Sequence, residues 1–122
     1  MLEITQSFGF EAAHMQPLAP EGHPNRRIHG HSFVAEITLR GEPGDARGMI
    51  RDFGEFETAL AAIKAELDHQ YLNDIESLGA PTLENLARWI FHRLHPALPE
   101  LARVTIRRPT LGQSCSYERV RK

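Results

Sequence analysis

Two stretches of alternating apolar residues flank a proline-rich loop, and this arrangement restricts the fold more than any other feature of the sequence. In residues 2–13 and again in residues 31–41, apolar side chains recur at every second position. A period of two is typical of strands that bury one face. Residues 15–28 between them contain three prolines and a glycine, which break regular structure. The sequence therefore predicts two long strands joined by an irregular loop.

Two amphipathic helical patterns follow the second strand. In residues 53–67 the apolar side chains recur at steps of three and four, and Asp52 can cap this helix. A similar pattern follows Thr82, a second capping residue, and Pro96 ends it. The stripes expected to face a core are Phe53, Phe56, Leu60, Ile63 and Leu67 in the first helix, and Leu83, Leu86, Ile90 and Leu94 in the second.

The chain ends in two short, arginine-rich segments, residues 101–109 and 114–122, which we interpret as strands. Residues 41–48 form a turn before the first helix, and residues 67–81 connect the two helices. The order is therefore strand, strand, helix, helix, strand, strand. This order favours an α+β fold, a four-stranded antiparallel sheet with both helices packed on one face.

Length and charge limit the number of domains and the classes of partner. With 122 residues, 41% of them hydrophobic, the chain is expected to form a single domain spanning residues 1–122. A domain of this size has a modest core, so association into a homo-oligomer is expected. A formal charge of -2 and a pI near 6.4 give no general attraction to nucleic acid or to anionic membranes. We expect neither as a partner.

The cysteine content indicates a reducing compartment. Cys115 is the only cysteine, so an intrachain disulfide framework is excluded. The N-terminal residues alternate in polarity, unlike a signal peptide, and no apolar run is long enough to span a bilayer. We therefore expect a cytoplasmic protein.

Three histidines adjoin the proline-rich loop. His29 and His31 point to the same side if the second strand begins before Phe33, because residues two apart share a strand face. His14, at the end of the first strand, would lie beside them in an antiparallel pair. Three neutral imidazoles with one open position are the pattern of a catalytic zinc site. The alternative is that His-Gly-His is only a polar strand entry and that His14 lies on the surface.

Asp68 and His69 are candidates for acid-base chemistry. They are adjacent at the end of the first helix, where the carboxylate could fix the tautomer of the imidazole while the ring moves protons. The simpler interpretation is structural, because a histidine also interacts favourably with the negative end of a helix. The residues alone leave both possibilities open.

Other polar residues have simpler interpretations. His92 and His95 lie three apart on the second helix without an evident third ligand. Cys115 has no feature in the sequence that would lower its thiol pKa, so it is interpreted as a packing residue. Two arginine doublets could hold a phosphate chain or remain solvated surface charges: Arg26, Arg27, Arg107 and Arg108.

Five motifs together resemble a known family. They are FEAAH (10–14), HGHSF (29–33), GMIRDF (48–53), LDHQYLND (67–74) and PTLENLARWI (81–90). Their residues and their order are similar to those of the 6-pyruvoyltetrahydropterin synthase and 6-carboxytetrahydropterin synthase family. The sequence resembles in particular the bacterial 6-carboxytetrahydropterin synthases of queuosine (7-deazaguanine) biosynthesis.

This resemblance implies a tunnelling fold, in which the sheets of several subunits join into a barrel, as in a hexamer built as a dimer of trimers. It implies a zinc ion on His14, His29 and His31. It also implies a reduced pterin substrate such as dihydroneopterin triphosphate, in a pocket between subunits. In the family's pattern, Asp68 and His69 match the aspartate and histidine that relay protons.

Two positions depart from the family pattern. Four residues before the first histidine of His-Gly-His, where these synthases have a cysteine base, the chain has Asn25. Asparagine cannot take up a proton near neutral pH. Either another group replaces that base, His23 two residues earlier being one candidate, or the reaction differs. At the end of the third predicted strand, the family's pterin-anchoring glutamate aligns with Arg108 or Pro109.

Two functional hypotheses follow, beside the simpler alternative of an oligomeric scaffold with a structural zinc ion. The first is a zinc-dependent lyase that acts on a reduced pterin, with an altered substrate or reaction. The second is a catalytically divergent, zinc-containing relative that binds a small heterocyclic or anionic metabolite without the lyase activity. The second hypothesis depends on Asn25 and on the cation at Arg108, which cannot accept the hydrogen bonds that a pterin edge donates.

Overall fold

The computed structural model describes residues 1–44 and 46–119, which form one sheet and two main helices. The predicted element order is confirmed, with one short strand added. The elements are β1 (Leu2–His14), β2 (His29–Gly41), α1 (Phe53–Leu67), β3 (Gln70–Tyr71), α2 (Leu83–Leu94), β4 (Leu101–Arg108) and β5 (Gln113–Glu118).

The predicted long strands pair along their full length. β1 and β2 are antiparallel, and their register runs from Leu2 opposite Gly41 to His14 opposite His29. β2 therefore begins at His29, two residues before the predicted start at residue 31. This register sets the end of β1 directly beside the start of β2.

The sheet has five strands in the order β3-β1-β2-β4-β5, not the four predicted. The four long strands are antiparallel as expected, but β3 pairs in parallel with β1 at Ala12 and Ala13. No sequence pattern predicts β3, because two residues cannot display a period. After α1 the chain runs along the free edge of β1, where its backbone groups find partners. Asp45 and residues 120–122, within the predicted turn and last strand, lie outside the described residues.

Both predicted helix caps are present. The Asp52 carboxylate accepts a hydrogen bond from Gly54 N at 2.6 Å, and the Thr82 hydroxyl accepts one from Asn85 N at 3.1 Å. The predicted stripes are buried except at Phe53, which is 50% exposed. Phe53 is the first residue of α1, so its side chain lies beyond the part of the helix that packs on the sheet.

The two faces of the sheet differ in polarity. The face that packs on the helices, the core face, carries buried apolar residues from three strands, among them Phe10, Phe33 and Ile106. The opposite face, the polar face, carries cross-strand pairs such as Thr5 with Thr38 and Arg107 with Glu36. His14 belongs to the core face at its end and is 1% exposed. Among the described helices, none has the length and apolar character needed to cross a membrane.

Candidate metal centre

His14, His29 and His31 lie together at one end of the core face, and we call them the histidine cluster. His14 is opposite His29 in the strand register, and His31 is opposite Ala12, so both rings of β2 reach the ring of His14. The three ring centroids are 4.6 to 4.9 Å apart. One nitrogen from each ring lies within 4.8 Å of the others. The spatial convergence predicted from the sequence is present.

Two backbone carbonyls orient these rings. His14 Nδ1 lies 2.9 Å from the Pro81 carbonyl oxygen, and His29 Nδ1 lies 2.7 Å from that of Arg27. A carbonyl oxygen only accepts, so in each ring Nδ1 carries the proton and donates it. In the neutral tautomers Nε2 therefore keeps its lone pair. The same arrangement fixes ring orientation around metal ions in many proteins.

The free nitrogens of His14 and His29 have nearly the spacing of two metal ligands. His14 Nε2 and His29 Nε2 are 3.0 Å apart, and His31 Nε2 is buried without a hydrogen-bond partner among the described residues. Zinc bonds of about 2.0–2.1 Å to nitrogen, at tetrahedral angles, separate two ligand nitrogens by about 3.3 Å. Facing lone pairs at this distance repel each other unless a proton or a metal ion lies between them.

The electrostatics of the cluster disfavour a proton in that position. Burial, followed by the charges of His14, Arg108 and His29, lowers the pKa of His31 to about 4. Burial also lowers the pKa of His14, although the hydrogen bond to the Pro81 carbonyl opposes this effect. His14 and His31 are therefore neutral at neutral pH, which is the form that binds metal. Three convergent imidazoles fit a divalent ion such as Zn²⁺.

The Asp68–His69 pair forms a hydrogen-bonded unit at the edge of the sheet. One Asp68 carboxylate oxygen accepts from Glu11 N at 2.9 Å, and the other lies 3.1 Å from His69 Nδ1. The hydrogen bond from Glu11 N, followed by the one from His69, lowers the pKa of Asp68. The carboxylate is therefore ionised and can hold the His69 ring in the tautomer that has a proton on Nδ1.

His69 combines a constrained backbone with an exposed ring. Its φ is 60°, in the left-handed region that non-glycine residues rarely adopt. The bond from its N–H to the Glu11 carbonyl oxygen, at 2.6 Å, holds this conformation. The side chain is 80% exposed, so the ring is accessible from solvent. Asp68 is also the C-terminal cap of α1, so this residue both ends the helix and pairs with His69.

A cavity of about 640 Å³ adjoins both groups. Its lining includes His31 from the histidine cluster and His69 from the Asp68–His69 pair, together with Glu11, Tyr71 and Thr110. The histidine cluster and the Asp68–His69 pair therefore border the same cavity. Among the described residues, His69 does not belong to the histidine cluster.

Asn73 is a positioning residue that the sequence reasoning missed. Its side-chain amide pairs with both backbone groups of Met15, accepting from N–H at 2.9 Å and donating to the carbonyl at 3.0 Å. This double contact fixes the chain immediately after His14. Asn73 lies within the quoted stretch LDHQYLND, but its partner is distant in sequence, so no local pattern identified it.

Asn25 and His23 lie in the loop and contact each other. Asn25 belongs to a single turn of 3-10 helix, Pro24–Arg26, and its N–H donates to His23 Nδ1 at 3.0 Å. Both side chains are exposed. His23 thus caps this turn, and among the described residues neither side chain belongs to the histidine cluster.

The arginine doublet at the end of β4 is split between the two faces. Arg107 forms a two-pronged pair with Glu36 on the polar face, at 2.8 and 3.2 Å. Arg108 is half-buried, and its charge lowers the pKa of His14 and His31, so it lies near the histidine cluster. Pro109 is exposed and begins a short turn. Of the two positions aligned with the family's glutamate, Arg108 is the one close to the cluster.

The remaining candidates lie elsewhere. His92 and His95 pack against the Phe91 ring, and His92 also contacts Tyr117. Cys115 is a free, half-buried thiol whose pKa is raised, first by burial and then by the charge of Glu84. Its assignment as a packing residue agrees with this environment.

Comparison with known proteins identifies the family. The family model described as 6-pyruvoyl tetrahydropterin synthase matches residues 3–120. The chain belongs to this family.

Individual relatives agree with this assignment. The 6-carboxy-5,6,7,8-tetrahydropterin synthase of Synechocystis sp. is 41% identical over 99 residues, 77% of this chain and 75% of the relative. The dihydroneopterin monophosphate aldolase of Pyrococcus furiosus is 36% identical over 90 residues, 74% of this chain and 72% of the relative. The solved 6-pyruvoyl tetrahydropterin synthase of Caenorhabditis elegans shares the fold, with a TM-score of 0.84 at 23% identity, covering 98% of this chain and 96% of that one.

Proposed function

We propose that the protein is a zinc-dependent lyase that acts on a reduced pterin such as dihydroneopterin triphosphate. The pathway would be queuosine (7-deazaguanine) or tetrahydropterin biosynthesis, with an altered substrate or reaction. The observation that carries the proposal is the convergence of three imidazoles beside a cavity. Membership of the family and relatives named as pterin-converting enzymes support it.

In this proposal His14, His29 and His31 hold the metal. A bound zinc ion would polarise a hydroxyl or carbonyl oxygen of the substrate and so ease proton removal from the adjacent carbon. The Pro81 and Arg27 carbonyls keep two of the three rings oriented for this task. Asn73 fixes the backbone after His14 and thereby supports the same geometry.

Proton transfer is assigned to His69. With Nδ1 directed at Asp68, His69 has Nε2 available to accept a proton, and the ionised carboxylate stabilises the imidazolium that forms. Asn25 cannot serve as the base because an amide does not take up a proton near neutral pH. The exposed His69 ring faces the cavity, which makes it the stronger candidate for this step than His23.

The proposed assembly is a cytoplasmic homo-oligomer, such as a dimer of trimers. Within the described residues, β3 and β5 are the outer strands of the sheet, so each has one edge without a neighbouring strand. An open edge can pair with another copy of the chain. Such pairing would extend the sheet from one subunit to the next and enclose the cavity.

The test is turnover with a defined substrate. Zinc-loaded protein is incubated with dihydroneopterin triphosphate, and the release of triphosphate and the consumption of the pterin are followed. His29→Ala is expected to abolish turnover, whereas His95→Ala, which removes a histidine packed on Phe91, is expected to leave it unchanged. No turnover by the zinc-loaded protein, beside an active family member as control, would refute the lyase assignment.

A second candidate function is binding without lyase activity. It is favoured by the amide at Asn25 and by the cation at Arg108, which cannot accept hydrogen bonds from a pterin edge. Thermal-shift measurements with pterins, purines and phosphorylated sugars separate the two functions. Stabilisation by one ligand class without turnover would support the binding protein over the lyase.

A further inference from the structure

The last two residues of β4 are matched arginines with different surroundings. Arg107 projects onto the polar face, where Glu36 satisfies its guanidinium. Arg108 follows it, and alternation along the strand directs it to the core face that carries Val104 and Ile106. The histidine cluster lies at the same end of this face, since β2 starts there and Val34 pairs with Arg107.

Arg108 lacks the partners that a cation in this position requires. Its Nε is buried and has no hydrogen-bond partner within the described part of the chain. Burial lowers the pKa of the guanidinium, and the charge of Glu84, an exposed residue, only partly offsets this effect. Leaving a donor of a charged group buried and unpaired destabilises a protein substantially. Buried donors without a partner are rare in folded proteins, and each one calls for an explanation, such as a bound ligand.

The chemistry of the guanidinium restricts what can satisfy it. It has five N–H donors in a planar fork and accepts no hydrogen bond. Two oxygens of a carboxylate or of a phosphate match this fork geometrically and electrostatically. The register that pairs Val34 with Arg107 places Arg108 beside Phe33, two residues from His31 on the same face of the sheet. A ligand bound at the cluster therefore lies within reach of the guanidinium, and the charge of Arg108 also acts on the rings of His14 and His31.

We infer that Arg108 is the specificity-determining residue of the site and that it binds a carboxylate or phosphate group of the ligand. The inference rests on the proposed function and deepens it, since it takes the histidine cluster as the centre of the binding site. It predicts that the ligand is an anion that presents oxygen acceptors toward β4, rather than a neutral ring that presents N–H donors there.

The test uses matched pairs of probes on zinc-loaded, full-length protein. Isothermal titration compares orotate with uracil, which differ by a carboxylate, and uridine 5′-monophosphate with uridine, which differ by a phosphate. In the unchanged protein the anion of at least one pair is expected to bind about tenfold more tightly than its neutral counterpart, the gain typical of a charged hydrogen-bonded pair. The pair that shows the gain identifies the group as carboxylate or phosphate.

Three variants locate the effect. Arg108→Gln is expected to remove the anion preference while binding of the neutral probes stays the same. Arg108→Lys keeps the positive charge but loses the planar set of N–H donors, so it is expected to retain only part of the anion preference. Arg107→Gln is the matched control on the polar face and is expected to keep the full preference. Zinc content and thermal unfolding confirm that each variant is folded and loaded.

The outcomes separate this inference from the proposed function. Equal binding within both probe pairs, or an anion preference that survives Arg108→Gln, would overturn the inference. So would an Arg108→Gln variant that loses only subunit association, because Arg108 would then pair with a carboxylate of another copy. Arg108-dependent anion binding by a protein that turns over no pterin would support the inference and refute only the lyase assignment.

Discussion

The histidine cluster and the Asp68–His69 pair differ in how much of their environment one chain supplies. The cluster is built on two long paired strands, and two of its rings are held by backbone carbonyls of the same chain. In the pair, the carboxylate is held by Glu11 N, but the His69 ring is 80% exposed. All three candidate metal ligands therefore come from one chain, whereas the exposed His69 ring is open to a ligand or to another copy of the chain.

The largest effect is expected at the centre of the cluster. His29→Ala removes one of three ligands, so zinc content after dialysis should fall to the background level, whereas His95→Ala should retain one zinc per chain. Elemental analysis of both dialysed variants measures the zinc content per chain. Tightly held zinc in His29→Ala would show that the cluster is not the metal site.

The pair is expected to affect turnover without affecting the metal. His69→Ala should lower kcat by a factor of about 10² to 10⁴, the usual contribution of a general acid or base, while zinc content stays unchanged. Asp68→Asn should also slow turnover because the amide no longer favours the proton on His69 Nδ1. If both variants turn over pterin at the normal rate, the pair is structural, and the contrast between the two regions disappears.

The two regions also predict different pH dependences of stability in the metal-free protein. The pKa of His31 falls from 6.5 to about 4 on folding, so below pH 6.5 the unfolded state binds more protons and stability decreases until about pH 4. The lowered pKa of Asp68 acts in a more acidic range, below the ordinary aspartate value of 3.8.

Urea unfolding of metal-free protein between pH 7 and pH 4 tests this difference. His31→Gln should reduce the decrease in the free energy of unfolding over this range, and the lowered pKa of His14 accounts for the part that remains. Asp68→Asn should leave the decrease in place. An unchanged profile in His31→Gln would mean that another group titrates there.

The smallest expected effect comes from the helix caps. Thr82→Ala and Asp52→Ala should each reduce the free energy of unfolding by about 1 kcal/mol through loss of a capping hydrogen bond. Only Thr82 adjoins Pro81, whose carbonyl orients His14, so only Thr82→Ala is expected to weaken zinc binding as well. Equal zinc affinities in the two variants would show that this carbonyl contact does not depend on the cap.

Much of the fold was predictable because its signals are local. Strand alternation and helical periodicity identified the two helices and the four long strands, and the capping residues Asp52 and Thr82 marked both helix starts. The two-residue β3 was missed, since its only cause is the neighbouring edge of β1. Phe53 was wrongly included in the core because a helical stripe does not reveal where the helix leaves the sheet.

The sequence by itself determined which residues could bind a metal, because spacing places His29 and His31 on one face and the end of the preceding strand brings His14 beside them. Only the tertiary structure decided how those rings are oriented, since the Pro81 carbonyl and the Asn73 amide reach the end of β1 from distant parts of the chain. It likewise decided that Arg107 has a partner and that Arg108 lacks one within the described residues. Strand alternation places two adjacent arginines on opposite faces, but only packing across the strands decides which of them meets a carboxylate.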